Sequence, residues 1–151
     1  MVTRKQVTRT RGFTIIEVLV VVVVVAILLT LVLPSYQQQL RSTRRTIGAA
    51  ALQEVMARQE LFFLNNRRFA DSLSDLGFQA NPHAIDASGN RISLDSEGRV
   101  YLIELTSHVS GYKLLAIPQL AQRKDYQCGT LSLTARGVRS VSGKEDAISC
   151  W

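Results

Sequence analysis

The sequence has few of the residues that build metal centres and catalytic sites. Its 151 residues include two cysteines and two histidines. Cys128, Cys150, His83 and His108 are too widely separated to match the ligand spacing of a zinc site. No Ser/His/Asp set, phosphate-binding glycine loop or catalytic carboxylate pair can be argued from the sequence. We therefore expect a protein that is not an enzyme and needs neither a cofactor nor a metal ion.

Charge is absent from one long segment and has a single sign in the segment before it. Between Val18 and Leu33 only Thr30 is not apolar, and no residue is charged. Residues 1–12 contain no acid and four basic residues, which are Arg4, Lys5, Arg9 and Arg11. Because basic residues favour the cytoplasmic side of a spanning helix, we expect a cytoplasmic N-terminus and an exported remainder.

The apolar run is long enough to cross a membrane. Phe13–Leu33 is 21 residues long. As a helix it reaches about 31 Å, close to the thickness of the hydrocarbon core of a bilayer. Lipid offers the backbone no hydrogen-bond partners, so the run must be helical despite its many valines. Glu17 costs about 2–3 kcal/mol if it lies deep in lipid, so it either marks the membrane interface or has a function there.

These residues form a pattern that resembles a known signal. Gly12-Phe13-Thr14-Ile15-Ile16-Glu17 is similar to the class III signal of type IV prepilins and type II secretion pseudopilins. The resemblance implies cleavage after Gly12 and N-methylation of Phe13 by a membrane-embedded prepilin peptidase and methyltransferase. An ordinary secretory signal fits less well, because no small residues follow the apolar run at Leu31–Pro34.

The same resemblance gives Glu17 a role in assembly. Cleavage would expose an amine on Phe13, four residues before the acid. In a bundle of such helices, the amine of one subunit and the carboxylate of another neutralise each other. Loss of one partner from a buried pair commonly costs about 3–5 kcal/mol. We therefore expect Glu17 to set the register of helices in a filament.

The chain is expected to have four consecutive parts and an α+β pilin fold. These are a leader over residues 1–12, a transmembrane and filament-core helix half over 13–33, an amphipathic helix half over 34–64, and a head over 65–151. Pro34 is expected to bend the helix. The helix's second half has apolar residues every three or four positions, which predicts one buried face. The opposite, polar face includes Arg41, Arg44, Arg45, Arg58 and Gln59, and we expect it to lie in solvent. The cluster Arg41, Arg44 and Arg45 is expected to be solvated near the headgroup phosphates, and the alternative is that it meets acids on a neighbouring subunit.

The head is expected to hold a small antiparallel sheet laid across the helix. Asn65-Asn66 should end the helix, with asparagine in the left-handed position. Asn81–Gly98 is expected to be a loop with at most a short strand at Arg91–Leu94. The expected strands are Val100–Leu105, Gly111–Ile117, Gly129–Thr134 and a short Gly137–Ser142, with residues 106–110 as a hairpin connection.

The two cysteines are expected to pair. Both lie in the exported part, where an oxidising compartment favours a Cys128–Cys150 disulfide. Closing a loop of this size contributes about 3 kcal/mol in chain-entropy terms. In pilins a C-terminal disulfide loop bounds a variable surface region, and the segments Cys128–Leu133 and Cys150-Trp151 resemble those of PilE-type minor pilins.

The mature chain is less basic than its net charge of +6 indicates. The leader holds four of the 18 basic residues, which leaves 14 against 12 acidic residues, or +2. Binding of nucleic acid would therefore need a local basic stripe. The candidate residues are Arg67, Arg68, Arg123, Lys124, Arg136 and Arg139.

The resemblance predicts a structural subunit, specifically a minor pilin, of a type IV pilus that supports pilus biogenesis, twitching motility, adhesion or DNA uptake. It would sit in the inner membrane before assembly and at the cell surface afterwards. Its partners would be major and minor pilins, the prepilin peptidase and the assembly machinery. Two alternatives stay open, a pseudopilin of a type II secretion system and a DNA-binding competence pilin.

Overall fold

The computed structural model describes residues 14–109 and 111–151, apart from the side chains of Leu31 and Pro34. The chain divides into two compact units, of which the first ends at Gln38 and the second is Gln39–Trp151. The predicted cleavage and methylation residues, Gly12 and Phe13, lie outside the described residues.

One long helix, α1, runs from Ile15 to Asn66. It includes the one described segment that is long and apolar enough to cross a membrane, with a mean hydropathy of 3.3 over 18 residues and none of that segment buried. The helix continues through Pro34. A bend at Pro34 therefore stays a prediction.

The second unit contains α1 from Gln39 to its end at Asn66. It also contains a six-stranded antiparallel sheet with the order β2-β1-β3-β4-β5-β6. The strands are β1 His83–Ile85, β2 Arg91–Ile92, β3 Tyr101–His108, β4 Gly111–Pro118, β5 Leu131–Thr134 and β6 Arg139–Val141. Two 3-10 helices, Leu73–Leu76 and Leu120–Lys124, and a short helix α2, Ala147–Cys150, complete it. This confirms the α+β fold and the antiparallel meander.

The core of the head lies between α1 and one face of the sheet. Alternating residues of β3 and β4 face inward, with Ile103 and Leu114 fully buried. The helix contributes Leu52, which is also fully buried. Gly48 lets the sheet approach closely, since a Cβ there would lie 3.0 Å from the ring of Tyr101. The head thus completes its own apolar core.

Several details of the predicted head are wrong. The segment expected to be a loop over residues 81–98 contains β1, whose His83–Ile85 residues are all buried between β2 and β3. These residues form a strand because they pair with β2 and β3 in the sheet, and no local sequence pattern indicates that pairing. Strand β3 extends to His108, so the hairpin connection is shorter than residues 106–110. The helix ends at Asn66, but Arg67 takes the left-handed conformation with φ 59°.

Candidate functional site

The first half of α1 presents an apolar surface with nothing from its own unit covering it. Every large apolar side chain described between Ile15 and Leu33 is at least 47% exposed. Glu17 lies in the first turn, where its amide donates to the carbonyl oxygen of Thr14 at 3.1 Å. In the part of the chain that the structure describes, its exposed carboxylate forms no ion pair. A helix of this kind needs lipid or other helices around it.

The second half of α1 is tied to the head by a buried ion pair. Nε of Arg45 lies 3.0 Å from Oδ2 of Asp125, and the two side chains are 12% and 3% exposed. Arg45 also donates to Sγ of Cys128 at 2.7 Å. The prediction that Arg45 faces solvent is therefore wrong, because Asp125 compensates its charge inside the protein.

A buried glutamine strengthens the same attachment. Nε2 of Gln122 donates to the backbone carbonyl of Arg41 at 3.2 Å and to the hydroxyl of Tyr101 at 3.1 Å. Burial raises the pKa of Tyr101 to about 12, so the phenol stays neutral. We call this end of the head, around Arg41–Arg45, the near end, because these helix residues follow the apolar run most closely in the chain.

Gln59 was also expected in solvent, and this prediction is wrong too. It is fully buried and forms two hydrogen bonds with the backbone of Ala70. Its Nε2 donates to the carbonyl at 3.0 Å, and its Oε1 accepts from the amide at 2.9 Å. The side chain thus supplies hydrogen-bond partners to both backbone groups of Ala70, which is the reason that a polar residue can occupy the buried face.

A cationic stack covers a buried histidine in the middle of the head. The guanidinium groups of Arg58 and Arg91 lie 4.6 and 4.5 Å from the centre of the Phe78 ring, and both pair with Glu54 at 2.8 Å. His83 stacks on Phe78 at 4.8 Å. Desolvation, helped by the charge of Arg91, lowers the pKa of His83 to about 4, so this histidine is neutral at pH 7.

The C-terminal segment is closed by the Cys128–Cys150 disulfide, as predicted. Asp146 caps α2 by accepting from the amide and hydroxyl of Ser149 at 2.9 and 2.8 Å, which lowers the pKa of Asp146. The guanidinium of Arg139 lies 5.3 Å from the Trp151 ring. The disulfide, the cap of α2 and the contact between Arg139 and Trp151 together fix the conformation of this C-terminal segment.

The opposite end of the head, around Phe62–Asn66, is its far end. Phe69 joins the two elements there, since its ring centre lies 4.8 Å from that of Phe63 and 5.0 Å from that of Tyr112. The hydroxyl of Ser107 donates to Asp71 at 2.6 Å, and Asp71 pairs with Arg68 at 3.4 Å. The helix end and the β3–β4 connection therefore share one surface.

A basic groove opens at the far end. It has a volume of about 380 Å³ and lies between the start of β4 and the β5–β6 turn. Its lining includes His108, Lys113 and Arg136, and none of the described lining residues is acidic. Gly111 allows the two elements to meet, since it has φ 139° and a Cβ there would lie 2.9 Å from Cβ of Ala135. Such a groove suits a phosphate or another anion.

The structure divides the basic residues that the sequence singled out. Arg68 and Arg136 lie at the far end, while Arg123 and Lys124 belong to the 3-10 helix at the near end. The sequence missed Lys113, which adds to the basic groove because it lies opposite Thr134 on the next strand. The alternation of inward and outward side chains along β4 could have identified Lys113 from the sequence, because it places Lys113 on the outer face.

Two family profiles match the chain. The profile described as "Type IV minor pilin ComP, DNA uptake sequence receptor" matches residues 34–132, which is more than half of the chain. The chain belongs to the ComP family of type IV minor pilins. A second profile, the prokaryotic N-terminal methylation motif, matches residues 8–33. No individual curated protein matches the chain.

The family assignment confirms the predicted resemblance and the function class. A ComP-family chain with an N-terminal methylation motif is a type IV minor pilin, which separates it from the pseudopilin alternative. The methylation motif ends at Leu33, the last residue of the apolar run, and the match to the minor pilin begins at Pro34. Membership in a pilin family implies contacts with other pilus subunits and processing by a prepilin peptidase.

Proposed function

We propose that this minor pilin is cut after Gly12, methylated on Phe13 and then assembled into a pilus through the first half of α1. In the membrane its N-terminus faces the cytoplasm and its head faces the periplasm. In the filament, Glu17 neutralises the Phe13 amine of a neighbouring subunit. The proposal follows from the spacing of Gly12, Phe13 and Glu17 and from the methylation motif over residues 8–33.

One observation supports assembly through the helix more than any other. The head buries its own core, whereas the apolar side chains of Ile15–Leu33 are about half exposed or more. Apolar surface of this extent is stable in lipid or against other apolar helices. Lateral packing of the same helix in a filament would replace lipid contacts without exposing this surface to water.

The test is the intact mass and N-terminal sequence of the chain from membranes and from sheared surface fibres. We expect a chain that starts at Phe13, carries one added methyl group and lacks two hydrogens at the cysteines, in both fractions. A chain that starts at Met1 in the membrane fraction would overturn processing. A processed chain that never enters fibres would overturn assembly.

A second function is favoured by the basic groove at the far end. The matched family is described as a receptor for a DNA uptake sequence. The groove brings Lys113, Arg136 and His108 together without an acid among its described lining residues. We propose that this end of the head contacts duplex DNA through its phosphates.

Binding of duplex DNA to the full-length protein in detergent tests this proposal. We expect affinity to fall steeply with salt, because phosphate contacts release counterions. Lys113→Gln with Arg136→Gln should weaken binding and flatten the salt dependence. Arg123→Gln with Lys124→Gln removes the same charge from the near end and should change binding much less. Affinity that is independent of salt, or equal losses in both double variants, would overturn the site.

A further inference from the structure

The near end of the head carries a second basic surface that DNA contact at the far end does not use. We call it the basic collar, and it consists of Arg41, Arg44, Arg123 and Lys124. Two anchors assemble it. Gln122 donates to the carbonyl of Arg41, and Asp125 pairs with Arg45. Arg123 and Lys124 lie between these two anchors in the chain, so the anchors fix their short 3-10 segment against the helix.

The charge of the basic collar is not compensated. Asp125 is the one acid of its own loop, and Arg45 already engages it at 3.0 Å with 3% of the aspartate side chain exposed. Within residues 14–109 and 111–151, no member of the basic collar forms an ion pair. Arg123 and Lys124 are exposed. The surface therefore attracts anions.

Apolar side chains accompany these charges. Leu120 and Tyr126, at either end of the same 3-10 segment, are 43% and 72% exposed. Basic residues mixed with an exposed aliphatic and an aromatic side chain are typical of surfaces that lie at the boundary between headgroups and acyl chains. A duplex offers phosphates but no matching apolar layer.

The chain also keeps the basic collar close to the membrane. Arg41 follows Leu33 by eight residues in the chain, which reach at most about 28 Å even when fully extended. With residues 13–33 in the membrane, Arg41 is therefore tethered near the headgroup layer, and long basic side chains extend its reach.

We propose that the basic collar binds the headgroups of anionic phospholipids in the leaflet on the head side of the membrane, before the subunit enters the filament. The inference rests on the proposed spanning of residues 13–33. Anionic headgroups supply the negative charge, and the acyl boundary accepts Leu120 and Tyr126. Assembly would then have to exchange these lipid contacts for contacts with other subunits.

Native mass spectrometry of the full-length protein in detergent tests this inference with an equimolar mixture of phosphatidylglycerol and phosphatidylcholine. We expect the wild type to retain phosphatidylglycerol in about fivefold preference, the effect of one basic residue near an anionic surface. Changing all four residues of the basic collar to glutamine should abolish the preference. The double variant Arg123→Gln/Lys124→Gln, which changes only exposed side chains, should reduce it.

The matched control removes four charges from the far end, by changing Arg67, Arg68, Lys113 and Arg136 to glutamine, and should keep the preference. Equal retention of both lipids by the wild type, or equal loss in the control and in the basic collar variant, overturns the inference. A separate measurement tests membrane insertion, by carbonate extraction of membranes that contain the protein. A chain that stays inserted without lipid preference leaves the proposed function standing, whereas release by carbonate overturns the spanning helix and this inference together.

Discussion

The two halves of α1 have opposite relations to their surroundings. Between Ile15 and Leu33 the helix is apolar on all sides, and its described large side chains are exposed. From Arg45 onward it is amphipathic, and Leu52, Val55 and Gln59 are buried by the head. One helix therefore has two environments: its first half suits lipid or other apolar helices, and its second half packs in the head. The first half depends on what the chain is inserted into, and the second half depends only on the chain itself.

The charged residues follow the same division. Glu17 forms no ion pair among the described residues, whereas Arg45 meets Asp125 inside the head. Under the proposed assembly, the carboxylate in the first half finds its partner on another subunit, whereas the second half supplies its own. Changes in the first half should alter assembly without affecting folding. Changes in the second half should alter folding first.

The largest effect is expected for Glu17→Gln. Loss of one partner from a pair buried in the filament costs about 3–5 kcal/mol, so incorporation into fibres should fall by roughly a hundredfold or more. The unfolding temperature of the head should not change. The measurements are the amount of the chain in sheared fibres and thermal unfolding in detergent. Glu60→Gln is the matched control on the exposed surface of the second half, and equal incorporation of both variants would contradict the division.

Asp125→Asn should have the converse effect. It leaves Arg45 charged and almost buried, so the free energy of unfolding should fall by about 3–5 kcal/mol. Chemical unfolding of the full-length protein measures the loss. Asp95→Asn removes an exposed carboxylate from a loop and should change stability by less than about 0.5 kcal/mol. Similar values for the two variants would show that the ion pair does not hold the helix to the head.

Gln59→Ala should destabilise the head by about 2 kcal/mol, because the amide and carbonyl of Ala70 lose their partners in a buried place. Gln53→Ala changes an exposed side chain of the same helix and should be close to neutral. The comparison uses the same chemical change at two faces. If both variants unfold at the same denaturant concentration, the buried hydrogen bonds contribute nothing.

The smallest effect concerns pH. The pKa of His83 is lowered to about 4 in the folded head, below the ordinary value of 6.5, so the unfolded chain binds the proton more readily. His83 therefore contributes its full stability above pH 6.5, and this contribution is lost as pH falls toward 4. The unfolding temperature should decline across that window and decline less in His83→Gln. An equal decline of the unfolding temperature in the wild type and in His83→Gln would contradict this prediction.

Sequence reasoning succeeded where a pattern was repeated and failed where a single contact decided. The apolar run, the mostly apolar segments that became β3 and β4 and the two cysteines of the part expected to be exported each gave a usable signal. Gln59 and Arg45 looked like solvent-facing residues because helical periodicity places polar residues outward. Gln59 and Arg45 are buried because they bond to Ala70 and Asp125. No pattern in the sequence around Gln59 or Arg45 predicts such a partner. The basic groove itself was not predicted: Arg136 was one of the candidates for a basic stripe, and Lys113 was not.

The short outer strands of the sheet have a consequence for the fibre as a whole. The sheet begins with two-residue β2 and ends with three-residue β6, and the indole of Trp151 donates to the carbonyl of Ser140 on β6 at 3.4 Å. Edges that are short and partly occupied offer little template for adding a strand from another molecule. In the proposed pilus, where many heads are crowded together, these edges would therefore disfavour strand addition between heads and a continuous cross-β aggregate.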